Sequence, residues 1–135
     1  MTYYFDMDGV IADYHGYIKG NWKLSVLFDT FVNLPPFEYN VNVMNTLINE
    51  GNTVYVLTKA ANAAAIEGKK VWLHKYVPAL PTENVIAITK GRKVDFIREN
   101  GILIDDDEKN CKQWEKAGYK AIHLTEKGMK ITLKA

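Results

Sequence analysis

The 135-residue sequence is poor in cysteine, with Cys111 alone, and it contains no long apolar run. A single cysteine cannot form an internal disulfide bond, and this is typical of proteins in a reducing compartment. No apolar run approaches the roughly 20 residues needed to span a bilayer. Residues 2–5 are typical of a β-strand rather than of a signal segment. We therefore expect a cytoplasmic domain with no membrane partner.

A large charge of one sign is also absent. The chain carries 17 basic and 16 acidic side chains, for a formal net charge of +1. The densest basic stretch, residues 90–93, is too short to follow a nucleic-acid backbone, so we expect no nucleic-acid partner. Hydrophobic residues make up 47% of the sequence, which is enough for one core at this length. We expect a single domain over residues 1–135.

Apolar runs and helical periods alternate along the chain. Strands are predicted over residues 2–5, 53–58, 84–88, 102–104 and 120–124, with a last short strand over 129–133. Helices are predicted over residues 24–32, from Pro36 to the cap Gly51, and over 60–76, 93–99 and 108–117. Because uninterrupted apolar strands alternate with helices, the pattern predicts an α/β fold with helices on both faces of a parallel sheet.

Polar side chains follow four of the predicted strands at the point where each strand ends. They are Asp6 and Asp8 after the first strand, Thr58 after the second, Lys90 and Lys93 after the third, and Asp105 and Asp106 after the fourth. The carboxyl ends of parallel strands meet at one edge of the sheet, where ligands bind in such folds. We expect these carboxylates, the hydroxyl and an amine to share one cleft.

Crowded carboxylates repel one another, and protons or a cation must neutralise them. Ligation by oxygen alone suits Mg²⁺, which would also offset the repulsion between Asp6 and a phosphate dianion. In such a cleft Asp6 is a candidate nucleophile that forms an aspartyl-phosphate, and Asp8 is a candidate acid and base. Thr58 would bind a phosphoryl oxygen, and a lysine would supply positive charge in the transition state.

Three stretches resemble motifs of the haloacid dehalogenase (HAD) superfamily. Residues 5–13, Phe-Asp-Met-Asp-Gly-Val-Ile-Ala-Asp, resemble its first motif, residues 56–58 its second and residues 102–106 its fourth. Within the superfamily the chain looks most like the 5′(3′)-deoxyribonucleotidase group. The opening Asp-Met-Asp-Gly-Val with Asp13, the Lys-Lys-Val-Trp stretch at 69–72 and the Leu-Ile-Asp-Asp ending support that subgroup. The resemblance covers residues 2–124.

The resemblance implies a five-stranded Rossmann-like core and a Mg²⁺-dependent phosphomonoester hydrolase. It assigns Asp6 as nucleophile and Asp8 as acid and base. It also implies that Mg²⁺ is held by the Asp6 carboxylate, the Asp8 backbone carbonyl and either Asp105 or Asp106, of which Asp106 is favoured as the direct ligand. The cap that selects the substrate is reduced to residues 14–34, directly after the first strand. The implied substrate is a small phosphorylated metabolite, with a nucleoside 5′-monophosphate of the deoxy series favoured.

The basic residues of the cleft leave a choice open. The lysine of the third motif is Lys90 or Lys93, and Lys93 is favoured because it stands at the predicted start of a helix, where backbone amides also attract anions. Thr58, Lys59, Lys69 and Lys90 are the candidate substrate-binding residues. The aromatic residues Tyr14, Trp22 and Phe28 of the reduced cap either pack it or stack on a base.

Other functions are weighed against this one. A phosphatase of broad specificity for small molecules is the first alternative, because a short cap gives little selectivity. A receiver-like signalling domain also groups acids, a hydroxyl and a lysine around Mg²⁺, but it needs these residues in a different order along the chain. A non-catalytic phosphate-binding domain is the remaining alternative. The oligomeric state cannot be predicted from the sequence.

Overall fold

The computed structural model of the chain describes residues 1–133. Its five strands form one parallel sheet in the order β3-β2-β1-β4-β5. The strands are β1 (Thr2–Phe5), β2 (Thr53–Lys59), β3 (Val85–Ile88), β4 (Ile102–Asp105) and β5 (Ala121–His123). This confirms the predicted α/β fold with a five-stranded parallel sheet.

Within residues 1–133, five α-helices and three short 3₁₀-helices accompany these strands. The α-helices are α1 (Tyr14–Ile18), α2 (Phe28–Val32), α3 (Glu38–Asn49), α4 (Ala63–Tyr76) and α5 (Glu108–Lys116). The 3₁₀-helices are Trp22–Val26, Thr82–Asn84 and Lys93–Phe96. Within the described residues, no helix has the length and apolar character needed to cross a membrane.

The core lies on both faces of the sheet, because successive side chains of a strand point to opposite sides. In β1, Tyr3 and Phe5 pack into one apolar cluster and Tyr4 into the other. A buried tryptophan completes each cluster. The indole of Trp72 donates to the Leu34 carbonyl at 2.8 Å, and that of Trp114 donates to the Gly101 carbonyl at 3.1 Å. Helices therefore cover both faces, as predicted.

The helix predicted over 60–76 begins at Ala63, after its cap Asn62, and three other predicted helices also differ from those observed. The helix predicted over 24–32 is wrong, because Leu27 is extended (φ −102°, ψ 133°) and separates a 3₁₀-helix from α2. The helix expected from Pro36 begins at Glu38, since Pro36 forms a β-bridge with Ala12 instead. The predicted helix over 93–99 is reduced to a 3₁₀-helix that ends at Phe96.

The strand predicted over 129–133 does not form. The backbone of this segment forms hydrogen bonds with a side chain rather than with a neighbouring strand. The buried Asn40 donates from Nδ2 to the Met129 carbonyl at 2.8 Å and accepts at Oδ1 from the Ile131 amide at 2.9 Å. These bonds attach the segment after β5 to helix α3.

Residues 14–34 form a small helical insertion between β1 and α3, at the place of the predicted cap. The insertion packs against α4 at a close approach of two helices. A Cβ atom added to Gly68 would lie 2.4 Å from the Phe28 carbonyl oxygen, so a larger residue would separate α2 from α4. That this insertion acts as a cap stays a prediction, as does the single-domain assignment.

Candidate active site

A tight turn after β1 carries the first two acidic side chains. The Asp6 amide donates to the Ile104 carbonyl at 2.9 Å, which continues the pairing of β1 with β4. The Met7 carbonyl then accepts from the amides of Val10, Ile11 and Ala12 at 3.0–3.2 Å, so the chain closes tightly behind the acids. Gly9 has φ +84°, and a Cβ there would lie 2.4 Å from Asp106 Oδ2. The turn therefore brings Asp6 and Asp8 to the same edge as β4.

Lys93 lies between two carboxylates at this edge. Its Nζ donates to Asp6 Oδ1 at 2.8 Å and to Asp105 Oδ2 at 2.9 Å, and all three side chains are almost fully buried. Lys93 begins a 3₁₀-helix, which turns it inward, whereas Lys90 is exposed. The structure thus brings Lys93, and not Lys90, to the carboxylates.

Asp6, Lys93 and Asp105 shift one another's pKa values. Burial raises the pKa of the Asp6 carboxyl, and the Lys93 ammonium offsets only part of that rise. Burial, followed by repulsion from Asp6, raises the pKa of Asp105 to about 6. Burial alone would lower the pKa of Lys93, but the two carboxylates outweigh it and hold that pKa above its usual value. Lys93 therefore stays charged.

Asp105 and Asp106 have different surroundings. Asp105 accepts at Oδ1 from the Asp107 amide at 3.0 Å, and at Oδ2 from Asn110 Nδ2 at 3.1 Å as well as from Lys93. Protein donors thus engage both oxygens of Asp105. Asp106 pairs with the ammonium of Lys127, which projects from the loop after β5. Neither Asn110 nor Lys127 was predicted as a site residue.

Lys69 connects two further residues of the predicted site, Asp8 and Thr58. Its Nζ donates to Asp8 Oδ2 at 3.0 Å, to Thr58 Oγ1 at 2.6 Å and to the Lys59 carbonyl at 2.7 Å. Lys69 is fully buried, and its ammonium lies 5.1 Å from the centre of the Phe31 ring. The Lys59 side chain itself is exposed. Oδ1 of Asp8 is buried and has no hydrogen-bond partner among residues 1–133.

Comparison with known protein families identifies the chain at this point. The family model described as 5′ nucleotidase, deoxy (Pyrimidine), cytosolic type C protein matches residues 18–128. The chain belongs to this family. The match confirms the predicted resemblance to the deoxyribonucleotidases of the HAD superfamily. It begins after Asp6 and Asp8, so the roles of these two residues rest on the site geometry and on the resemblance of the first motif.

Two solved structures share the fold. The HAD domain of the effector protein Lem4 from Legionella pneumophila is 15% identical, with a TM-score of 0.54 over 97% of this chain and 88% of that chain. A phosphoserine phosphohydrolase-like protein from Francisella tularensis subsp. tularensis SCHU S4 is 14% identical, with a TM-score of 0.52 over 90% of this chain and 86% of that chain. At these identities the likeness shows the fold alone. No curated protein matches the chain.

The acidic group fits a Mg²⁺ ion. Candidate ligand oxygens of Asp6, Asp105 and Asp106 lie within 4.8 Å of one another. After burial, the neighbouring Asp106 carboxyl group also raises the pKa of Asp6, and a proton or a cation relieves the crowding of such carboxylates. Ligation by oxygen alone is what Mg²⁺ prefers. The donors already bound to Asp105 leave Asp6 and Asp106 as the carboxylates better placed to bind the ion.

The aromatic residues of the insertion divide into two kinds. Tyr14 packs within the insertion, with its ring stacked on Phe31 at 5.8 Å and its hydroxyl bonded to Ser25. Trp22 is 70% exposed and Phe28 is 40% exposed. Of the three predicted candidates, only these two are therefore open to a ligand.

Proposed function

We propose that this protein is a Mg²⁺-dependent phosphomonoester hydrolase that acts on nucleoside 5′-monophosphates, with deoxyribonucleotides preferred, through an aspartyl-phosphate on Asp6. The observation that carries the proposal is the position of Lys93, buried between Asp6 and Asp105 at the carboxyl edge of the sheet. Membership of the nucleotidase family supports the class of substrate. The cytoplasmic location is proposed with it.

In the first half of the reaction, an Asp6 oxygen attacks phosphorus and the bond from phosphorus to the ester oxygen breaks. Lys93 fixes the attacking carboxylate and offsets the negative charge of the incoming phosphoryl group. Thr58 lies at the end of β2, beside Asp8, where its hydroxyl can bind a phosphoryl oxygen. Lys69 donates to that hydroxyl, whose own proton makes only a long hydrogen bond of 3.5 Å to the Lys59 carbonyl and can turn to the phosphoryl group instead.

Asp8 transfers a proton in both halves of the reaction. Lys69 holds Oδ2 of Asp8, while Oδ1 has no hydrogen-bond partner in the described part of the chain. We assign Oδ1 as the atom that gives its proton to the departing alcohol and then takes one from the attacking water. Water attack on the phosphorus of the aspartyl-phosphate releases inorganic phosphate and restores the Asp6 carboxylate.

The metal would be held by the carboxylates of Asp6 and Asp106 and by the Asp8 backbone carbonyl. When bound, Mg²⁺ supplies the charge that lets an anionic nucleophile approach an anionic phosphate. Asp105 contributes indirectly, because it accepts a hydrogen bond from Lys93 and so positions that lysine beside Asp6. In this assignment Asp105 is a positioning residue and not a direct ligand.

Substrate recognition is assigned to the edge of the cleft. The exposed rings of Trp22 and Phe28 are candidates for stacking on a base. The exposed side chains of Lys59 and Lys90 are candidates for contacts with the substrate, whereas Lys69 is buried and acts through Asp8 and Thr58.

A panel of phosphate esters tests this function. Release of inorganic phosphate would be measured from deoxyribonucleoside 5′-monophosphates, ribonucleotides and sugar phosphates, with Mg²⁺ and with a chelator. We expect deoxyribonucleotides to give the highest kcat/KM, the chelator to abolish turnover, and Asp6→Asn to be inactive. Asp95→Asn is the matched control, because it makes the same change at an exposed residue.

A second candidate function follows from the small size of the insertion. An insertion of about twenty residues covers little of a cleft, which favours a phosphatase with broad specificity for small molecules. Similar kcat/KM values for sugar phosphates and nucleotides would select this function. Full activity in chelator would reject both.

A further inference from the structure

Lys127 lies in the loop after β5 and forms an ion pair with Asp106. The pair is unequal in burial, since the Asp106 side chain is 5% exposed and that of Lys127 is 49% exposed. Lys127 thus reaches from solvent to a carboxylate inside the acidic group. Neither the motifs nor the proposed mechanism gives this residue a role.

The backbone of this loop is fixed to the catalytic turn. The Gly128 amide donates to the Gly9 carbonyl at 2.8 Å. Asn40 Nδ2 donates at 2.8 Å both to the Met129 carbonyl and to the Val10 carbonyl, and so joins the loop to the same turn a second time. Because both anchors lie within two residues of Lys127, the backbone holds this side chain over Asp106, while its half-exposed amine can move.

The two lysines at the acidic group differ in what replacing them would cost. Lys93 is buried with two carboxylates, and removing its charge would leave both uncompensated. Lys127 makes a single ion pair, and half of its own side chain is exposed. A cation bound at Asp106 would compensate this buried carboxylate in place of the lysine. Water can solvate the released Lys127 ammonium. A divalent cation can therefore displace Lys127 but not Lys93.

We propose that Lys127 is a displaceable counter-ion of Asp106 that occupies this carboxylate when Mg²⁺ is absent and competes with Mg²⁺ for it. The inference rests on the proposed role of Asp106 as a metal ligand. It predicts that Lys127 weakens Mg²⁺ binding, because the cation must displace or approach a positive charge. The loop after β5 then sets the Mg²⁺ concentration at which the protein becomes loaded.

Calorimetric titration with Mg²⁺ alone tests the proposal without any substrate. Lys127→Met removes the charge and keeps much of the length of the side chain, and we expect its Mg²⁺ dissociation constant to fall about tenfold, which corresponds to about 1.4 kcal/mol. Lys127→Arg keeps the charge and should bind like the wild type. Lys130→Met is the matched control, because it removes the same charge from an exposed lysine that lies against Tyr39. It should change the affinity little.

A second measurement follows the amine itself. Lys127 should react faster with an acetylating reagent at saturating Mg²⁺ than in chelator, with Lys130 as the internal reference, when acetylation is read by peptide mass spectrometry. Equal or weaker Mg²⁺ binding by Lys127→Met, or protection of Lys127 by Mg²⁺, would overturn the proposal while leaving a Mg²⁺-binding wild type intact. Absence of Mg²⁺ binding by every variant would overturn both this proposal and the metal dependence of the proposed function.

Discussion

The ammonium of Lys69 lies 3.0 Å from Asp8 Oδ2 and 2.6 Å from Thr58 Oγ1, and so joins the first and second sequence motifs through one buried cation. The sequence places Lys69 among candidate substrate ligands, but its burial leaves it no open face. In the proposed mechanism it orients Asp8 by binding Oδ2, so that Oδ1, which has no hydrogen-bond partner within residues 1–133, faces the reaction.

We expect Lys69→Met to lower kcat by about ten- to a hundredfold, because Asp8 loses the partner that orients it as acid and base. KM should change less than kcat, since Lys69 does not touch the substrate. Lys70→Met is the matched control, because Lys70 is exposed on the same helix and pairs with the exposed Glu67. A rise in KM at constant kcat would show instead that Lys69 binds substrate directly.

Replacing each of the two candidate lysines of the third motif by alanine gives a second prediction. Lys93→Ala should lower kcat by about a hundredfold or more, the usual effect of removing a preorganised charge from a transition state. Lys90→Ala should have little effect on kcat, since Lys90 is exposed. Steady-state kinetics of both variants checks this, and the opposite ranking would mean that Lys93 has only a structural role.

The Gly9 position allows a test of the space around Asp106. Gly9→Ala should greatly reduce both Mg²⁺ affinity and turnover, because the added Cβ would lie 2.4 Å from Asp106 Oδ2. Gly20→Ala is a matched control, since Gly20 has a similar φ of +80° but no atom within 4 Å of the added Cβ. Both variants should lose about 1–2 kcal/mol of stability from backbone strain. A Gly20→Ala protein as inactive as Gly9→Ala would contradict the steric argument.

The raised pKa of Asp105 predicts how stability depends on pH in the metal-free protein. Its pKa is about 6 in the folded chain, against an unfolded value of about 3.9. The folded state binds this proton more tightly than the unfolded state does. Protonated Asp105 therefore stabilises the fold. This stabilisation is complete at pH values below the unfolded pKa and is lost as pH rises through about 6. Denaturant titrations should show the wild type losing stability relative to Asp105→Asn between about pH 4 and pH 6. A constant difference between the two proteins would contradict this.

The thiol of Cys111 reports on the packing beneath the site. Burial raises its pKa to about 12, and its Sγ lies 3.7 Å from the Asp105 carbonyl oxygen. We expect the native protein to resist alkylation at pH 8, because neither thiolate nor access is available, and the protein in denaturant to react fully. Rapid alkylation of the native protein would show that α5 does not pack on β4 as described.

Much of the site could be predicted because its residues follow strands. Asp6, Asp8 and Asp105 each stand at a strand end, where local sequence patterns and sheet topology agree. Asn110 and Lys127 belong to no motif, since their contacts depend on how α5 and the loop after β5 fold back. The position of Lys127 just beyond the fifth strand was a signal, because that loop meets the same edge of the sheet. No pattern indicated that Leu27 would be extended.

The central claim is that Asp6 carries the phosphoryl group, and an Asp8→Asn protein tests it most directly. With p-nitrophenyl phosphate the leaving group needs no proton, but the water of the second half still needs Asp8 as its base. Rapid mixing should give a burst of about one equivalent of p-nitrophenolate per protein, and peptide mass spectrometry after acid quench should place the phosphoryl group on Asp6. Asp6→Asn should give no burst. A burst without phosphorylated Asp6, or a phosphoryl group on another residue, would contradict the account.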